Sequence, residues 1–248
     1  MQVAILTIGD ELLAGRTTNT NASWLAEKIT DRGGAIRRIL TIPDDRALIA
    51  DTVAAWSERF DAVVVTGGLG GTPDDVTLES VAAGLERDLV VVPAVREQIL
   101  EKGRKLREER PEFFEEYELE FDIDAAASLP EGARPIVTDA GWSPGCVIEN
   151  VYVFAGIPAE MKAMFETVET EFSGDVVSET VYTPAPEGSL RTVLEGVDEQ
   201  FDVSVGSYPQ SEDRLGRLRV TGNNEETVEA AAAWIRERVE TGEPSESN

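Results

Sequence analysis

Apolar positions fall into short unbroken runs that alternate with stretches spaced three and four residues apart. Val3–Gly9 is a short apolar run bounded by glycine, which predicts a buried strand. Asn19-Thr20-Asn21 offers capping side chains for a helix to about Arg32, with Ala22, Leu25, Ala26 and Ile29 inward and Gly33-Gly34 ending it. Ala35–Ile42 reads as the next strand. Pro43-Asp44-Asp45 starts a second helix with Leu48, Ile49, Val53 and Trp56 inward. Asp61–Thr66 is continuously apolar, the pattern of a strand covered on both faces. A glycine-rich loop follows, then a helix from about Asp75 to Gly84. Three strand–helix units in succession predict an α/β fold, a three-layer α/β/α arrangement around a mostly parallel sheet.

The pattern is less regular in the middle. Ala94–Arg110 is a strongly charged helix, and Glu112–Phe121 sets aromatics in acidic surroundings that pack against it. The run Glu101–Glu120 reads as a solvated face. Pro135–Thr138 and Cys146–Phe154 read as two strands joined through Gly141-Trp142-Ser143-Pro144-Gly145, and Pro158–Phe172 as a helix with proline near its start. From about Gly174 the order changes to β-α-β-β-α. The expected strands are Val176–Tyr182, Val203–Tyr208 and Leu215–Thr221, the helices Gly188–Gln200 and Glu225–Glu240. The expected organisation is therefore an α/β/α domain over 1–172, a small α+β domain over 174–240, and a disordered Ser/Glu/Pro-rich tail over 241–248. No internal repeat is present.

Composition narrows the chemistry. The chain has 248 residues, 48 acidic against 22 basic, and a formal charge of −26. Such a surface repels nucleic acid and anionic lipid, so neither is an expected partner. No apolar run reaches the ~18–20 residues of a membrane span, and the amino terminus lacks the layout of a signal peptide. One cysteine, Cys146, excludes an internal disulfide framework; it opens an apolar strand and is expected to be buried and inert. These features point to the cytoplasm. The acidic residues are spread along the chain and only four of the basic ones are lysines, the surface expected of a protein from a halophile. There is no histidine, which removes the usual general base and histidine-ligated metals. Carboxylates, hydroxyls, main-chain N–H groups and a hard cation held by oxygen remain.

The segment best suited to chemistry is Thr66-Gly67-Gly68-Leu69-Gly70-Gly71-Thr72-Pro73-Asp74-Asp75-Val76-Thr77. It leaves a buried strand and opens a helix, the carboxyl-end position where open parallel sheets bind ligands. Four glycines let a ligand approach the main chain, and successive N–H groups suit phosphate. It is not a Walker loop, which needs Gly-Lys-Ser/Thr, nor a dinucleotide fingerprint, because Pro73 stands where a glycine is needed. Asp74 and Asp75 beside a phosphate loop either cap the helix or hold a divalent cation, Mg²⁺ or similar, between carboxylate and phosphate. K⁺ is the alternative cation.

At these residues the sequence resembles the molybdopterin-binding domains of molybdenum cofactor biosynthesis. It is closest to the amino-terminal domain of the competence/damage-inducible protein A family. Gly67-Gly68-Leu69-Gly70, Asp74-Asp75 and Thr77 carry the first resemblance. Gly9-Asp10-Glu11-Leu12-Leu13, Asn19-Thr20-Asn21, Gly141 with Pro144-Gly145, Gly156-Ile157-Pro158-Ala159-Glu160-Met161, and Gly206-Ser207-Tyr208-Pro209 carry the second. The resemblance implies an α/β/α domain that binds a pterin or nucleotide phosphate. It places a needed aspartate after the second strand, on Asp44, and another after the glycine loop, on Asp75. In this subfamily the domain is linked to pyrophosphatase action on ADP-ribose or FAD. The sequence departs at Gly71 and Ala155, where proline is usual, and at Asn19, where aspartate is common. The amidase domain that follows in longer relatives is not present in these 248 residues, so deamidation of nicotinamide nucleotide is not expected.

The expected site thus has Asp44 and Asp75 as catalytic and metal-binding residues, with Asp74 a further metal ligand. Asp10, Asn21, Gly67, Gly68, Gly70, Thr72, Ser143 and Gly145 would bind the ligand. Asp10 with Glu11 serves a metal or a ribose hydroxyl, or only complements a helix terminus; Asn21 contacts ligand or caps; Ser143–Gly145 wraps the ligand or is a turn. Trp142 is the aromatic placed to stack on a base or pterin, whereas Trp24, Trp56 and Trp234 lie at core positions. Three functions use this loop: a metal-dependent nucleotide pyrophosphatase, a transferase or carrier acting on molybdopterin, and a non-catalytic nucleotide sensor. A homo-oligomer is expected.

Overall fold

The computed structural model describes residues 1–111, 122–210 and 215–243. The aromatic segment Glu112–Phe121 and the last five residues of the expected tail lie outside the described residues. The chain divides into two compact units, Met1–Ile29 with Ala35–Phe172, and Thr30–Gly34 with Ser173 onward.

The first unit is built on a six-stranded sheet. Its elements begin β1 (Gln2–Ile8), α1 (Asp10–Leu13), α2 (Thr20–Asp31), β2 (Ala35–Ile42), α3 (Arg46–Ser57), β3 (Ala62–Thr66), α4 (Thr77–Gly84). They continue β4 (Leu89–Val91), α5 (Pro93–Glu109), α6 (Ile123–Ala126), β5 (Ser128–Pro130), β6 (Arg134–Ile136), β7 (Gly145–Ile148), β8 (Val151–Phe154) and α7 (Pro158–Glu166). The sheet order is β2-β1-β3-β8-β7-β6. β2, β1, β3 and β8 run parallel, and β7 is antiparallel to both of its neighbours.

Strand alternation sends neighbouring residues to two cores. Ala4, Leu6, Val63 and Val65 join Ile49, Val53 and Trp56 of α3 and Val81 of α4 on one face. Val3, Ile5, Ala62 and Val64 join Ala22, Leu25 and Ile29 of α2 and Met161 and Phe165 of α7 on the other. Burial on both faces is why these strands read as unbroken apolar runs.

Several details differ from the sequence reading, among them the helix expected over Pro158–Phe172, which ends at Glu166 and is followed by a separate tighter turn over Glu169–Phe172. Leu48 is 42 % exposed, because the buried face of α3 follows Ile49, Val53 and Trp56 and Leu48 stands about 100° off it. Cys146–Phe154 is a hairpin, not one strand: the polar pair Glu149-Asn150 turns the chain, with Glu149 at φ 52°. The antiparallel pair β4–β5 and the short helices α1 and α6 had no clear periodic signal. The helix after the glycine loop begins at Thr77, two residues later than expected.

The second unit has a three-stranded antiparallel sheet, β10-β11-β9, from β9 (Val177–Thr183), β10 (Ser204–Tyr208) and β11 (Gly216–Gly222). Helices α8 (Arg191–Gln200) and α9 (Glu225–Arg236) pack on it through Val197, Val228, Ala231 and Ile235, against Val181, Leu218 and Val220. Asn224 caps α9, accepting from Thr227 N at 2.9 Å. No helix among the described residues is long and apolar enough to cross a membrane.

Candidate functional site

Register brings the loops together. Thr7 pairs with Thr66 and Thr66 with Phe154, while Ile8 pairs with Ile42, so four parallel strands end at one level. From β1 the chain goes to one side of the sheet to make β2, then crosses back over β1 to make β3. That reversal opens a crevice at the carboxyl ends of β1 and β3. A cleft of about 360 Å³ occupies it, lined by Asp44, Asp74, Asp75, Asn21, Gly67 and Gly68 among others. No lysine or arginine side chain lines it among the described residues.

Each side chain has a local reason to be there. Asp45 caps α3, accepting from Leu48 N at 2.9 Å. This leaves Asp44, one residue earlier, facing the cleft, where its Oδ2 accepts the main-chain N–H of Asp10 at 2.9 Å. Partial burial, then the nearby charges of Asp10, Glu11 and Asp74, push the Asp44 carboxyl above its ordinary value, against the lowering effect of the Asp10 N–H. Glu11 lines the cleft as well, whereas Asp10 does not and meets Asp44 only through that N–H.

The glycine loop is held from both ends. Gly67, at φ 110°, donates its N–H to Phe154 O at 3.2 Å, and a Cβ there would strike the carbonyl of Ile8. Thr77 closes the loop, its hydroxyl donating to Gly67 O at 2.8 Å and its N–H to Gly68 O at 3.2 Å. The Gly67 N–H is therefore engaged, and of the two loop glycines that line the cleft Gly68 is the one whose N–H has no partner among the described residues.

Neither Asp74 nor Asp75 caps α4; Val76 occupies the cap position and no side chain bonds there. Asp75 instead folds back on the loop, its Oδ2 accepting from Thr72 N at 2.9 Å and Thr72 Oγ1 at 2.6 Å. Gly70 makes room, since a Cβ on it would meet that same carboxylate. Thr72 and Gly70 thus shape the loop through Asp75. Both bonds fall on Oδ2, and Asp75 also lines the cleft.

The capping of α2 falls to Asn19, whose Oδ1 accepts from Ala22 N at 3.1 Å while its amide donates to Thr7 Oγ1 at 2.9 Å. Asn21 does not cap. Its amide donates to Gly156 O at 2.7 Å and to Thr66 Oγ1 at 3.4 Å, pinning the loop after β8 to the end of β3. Its Oδ1 is buried with no donor among the described residues.

Ser143 and Gly145 do not line this cleft. Gly145 opens β7 where a Cβ would strike Val153 O and crowd Met164, so packing explains the glycine. Trp142 is 40 % exposed and lies outside the cleft too. Trp24 is half-buried on α2, edge-on to Phe165, and also borders a second cavity beside the cleft. Its helical spacing gave only the core signal. Among the described residues no three carboxylate or thiol side chains stand together to hold a metal unaided.

Residues 4–173 match the family model described as "Probable molybdopterin binding domain", and residues 175–246 match "FAD synthase, middle domain". A protein of Archaeoglobus fulgidus is 34 % identical over 239 residues, covering 96 % of this chain and 97 % of its own. A protein of Pyrococcus furiosus is 32 % identical over 249 residues, with the same coverage. The crystal structure of CinA from Thermoplasma acidophilum, described as of unknown function, aligns with a TM-score of 0.59 at 30 % identity. That alignment covers 69 % of this chain and 97 % of CinA. The chain therefore belongs to the molybdopterin-binding domain family, as a CinA-like member whose second unit matches the middle domain of FAD synthase.

Proposed function

We propose that the cleft binds the phosphates of a nucleotide and that the chain hydrolyses a phosphoanhydride in a compound such as ADP-ribose or FAD, with a divalent cation. The observation that carries this reading is a charge conflict. Asp44, Asp74 and Asp75 line the same cleft as the glycine main chain, and among the described residues no basic side chain lines it to offset them. Carboxylates repel a phosphate that the loop otherwise suits, and a cation between them removes the repulsion. Asp44 and Asp75 would hold it, with Asp74 beside them. Phosphate oxygens and water would supply the other ligands, as suits a cation that keeps much of its hydration. Bound there, it supplies an activated water and neutralises the leaving phosphate.

The chain's own residues do the rest. The Gly68 N–H orients a phosphate oxygen. Thr72 holds the Asp75 carboxylate in place, and Asp44, held by the Asp10 N–H, orients the attacking water. A nucleotide ligand is also in keeping with the match of the second unit to a flavin-nucleotide enzyme's middle domain. The test is a panel of nucleotide pyrophosphates assayed with Mg²⁺ and with EDTA, where metal-dependent release of a nucleoside monophosphate is expected.

The family's description, which speaks of molybdopterin binding, favours a second reading, pterin binding with or without transfer of an adenylyl group to it. No turnover on any nucleotide pyrophosphate, with pterin binding retained, selects it.

A further inference from the structure

The cavity beside the cleft has a different character. It measures about 330 Å³ and shares the turn 18–21 and Pro158 with the cleft. Its own wall is Ser23, Trp24, Glu27 and Lys162. We propose that it is the subsite for the ligand's heterocycle, an amino-bearing nitrogen ring such as adenine or a pterin. This rests on the phosphate-binding reading of the cleft, which it extends to a ligand in two parts.

Three observations converge. First, an indole and a proline ring offer flat apolar surface, and Trp24 is braced edge-on by Phe165 at 5.5 Å between centroids. Second, the cavity carries a cation that the cleft lacks. Lys162 lines it together with Glu27, its ammonium 5.4 Å from the Trp24 centroid, and Lys28, outside the lining, lies 5.9 Å from the same centroid. The sequence has only four lysines, so two of them stand at one indole of a strongly acidic chain. They draw in an anionic ligand, Lys162 can donate to a ring nitrogen or carbonyl, and Glu27 can accept from an exocyclic amine. Third, Asn21 belongs to the lining of both cavities, so a ligand that spans them passes over one shared residue.

Calorimetric titration of the full chain tests this with AMP, neopterin and ribose 5-phosphate. The first two carry the ring from the two sources, and the third reaches only the phosphate end. Expected is that AMP or neopterin binds the parent, and that Trp24→Ala weakens it by about tenfold or more, the scale of one base stacked on an aromatic. Trp24→Phe should restore most of the loss. Lys162 is exposed, so Lys162→Ala leaves the fold intact and should weaken the same ligand by roughly threefold or more. Ribose 5-phosphate should bind the parent and Trp24→Ala within about twofold. An equal loss of ribose 5-phosphate, an unchanged affinity for both ring ligands, or no binding of any of the three overturns the subsite. Trp24-dependent binding without hydrolysis refutes the hydrolase reading and leaves the subsite standing.

Discussion

The main-chain N–H of Asp10 donates to the Asp44 carboxylate at 2.9 Å, so the loops after β1 and β2 meet at one oxygen. The bond is possible because Asp45 takes the capping duty on α3 and Asp44 is left over. It lowers the Asp44 pKa, yet burial and the charges of Asp10, Glu11 and Asp74 outweigh it.

That balance predicts a pH-dependent stability. The folded pKa of Asp44 lies above its ordinary 3.8, so the charged form is disfavoured by folding. The penalty is absent below the unfolded value and complete above the folded one. Asp44→Asn should therefore raise Tm at neutral pH, and the gain should vanish as pH falls below 3.8. Thermal melts of both proteins at the two pH values check this. Added Mg²⁺ should stabilise the parent more than the variant.

The loop should answer unequally to alanine. Gly67 sits at φ 110° with the Ile8 carbonyl where a Cβ would go, so Gly67→Ala should cost roughly 2–5 kcal/mol or prevent folding. Nothing lies near the Cβ position of Gly71, and its φ is not positive. Gly71→Ala should then be neutral or stabilise by about 0.4–1 kcal/mol. Denaturant unfolding of the two variants decides it.

Cys146 is wholly buried on β7, and burial pushes its thiol up to about 12. It should resist alkylation in the native state and react on addition of denaturant. Rapid native labelling, followed by mass, would contradict the packing of β7 against β8.

The parallel half of the sheet was legible because each strand is buried on both faces and each helix carries a clear stripe. Strand-end positions put Asp44, Asp10, Gly67–Thr72 and Ser143–Gly145 on one crevice; Asp44, Gly67 and Gly68 line it, whereas Asp10, Thr72, Ser143 and Gly145 do not. What the sequence could not give were contacts set by tertiary geometry. Asn19 rather than Asn21 caps α2, and Asp75 bonds back to Thr72 instead of capping α4. Glycines near the site served different ends: Gly67 avoids a carbonyl, Gly70 admits a carboxylate, and Gly145 only fits beside Met164. Spacing alone does not separate these. Trp24 reads as core in the sequence because one helical stripe cannot reveal that it also borders a cavity.

The central claim is that carboxylates on this cleft hold a cation for phosphoanhydride hydrolysis, and the direct measurement is turnover of ADP-ribose by the parent and by Asp75→Asn, with Mg²⁺ and with EDTA. Asparagine keeps an oxygen for the Thr72 N–H but removes the charge, so the fold should survive. The account predicts a loss of at least ~10² in kcat for Asp75→Asn, the scale of one electrostatic stabiliser, and no turnover by the parent in EDTA. Turnover that persists through both EDTA and Asp75→Asn would contradict it.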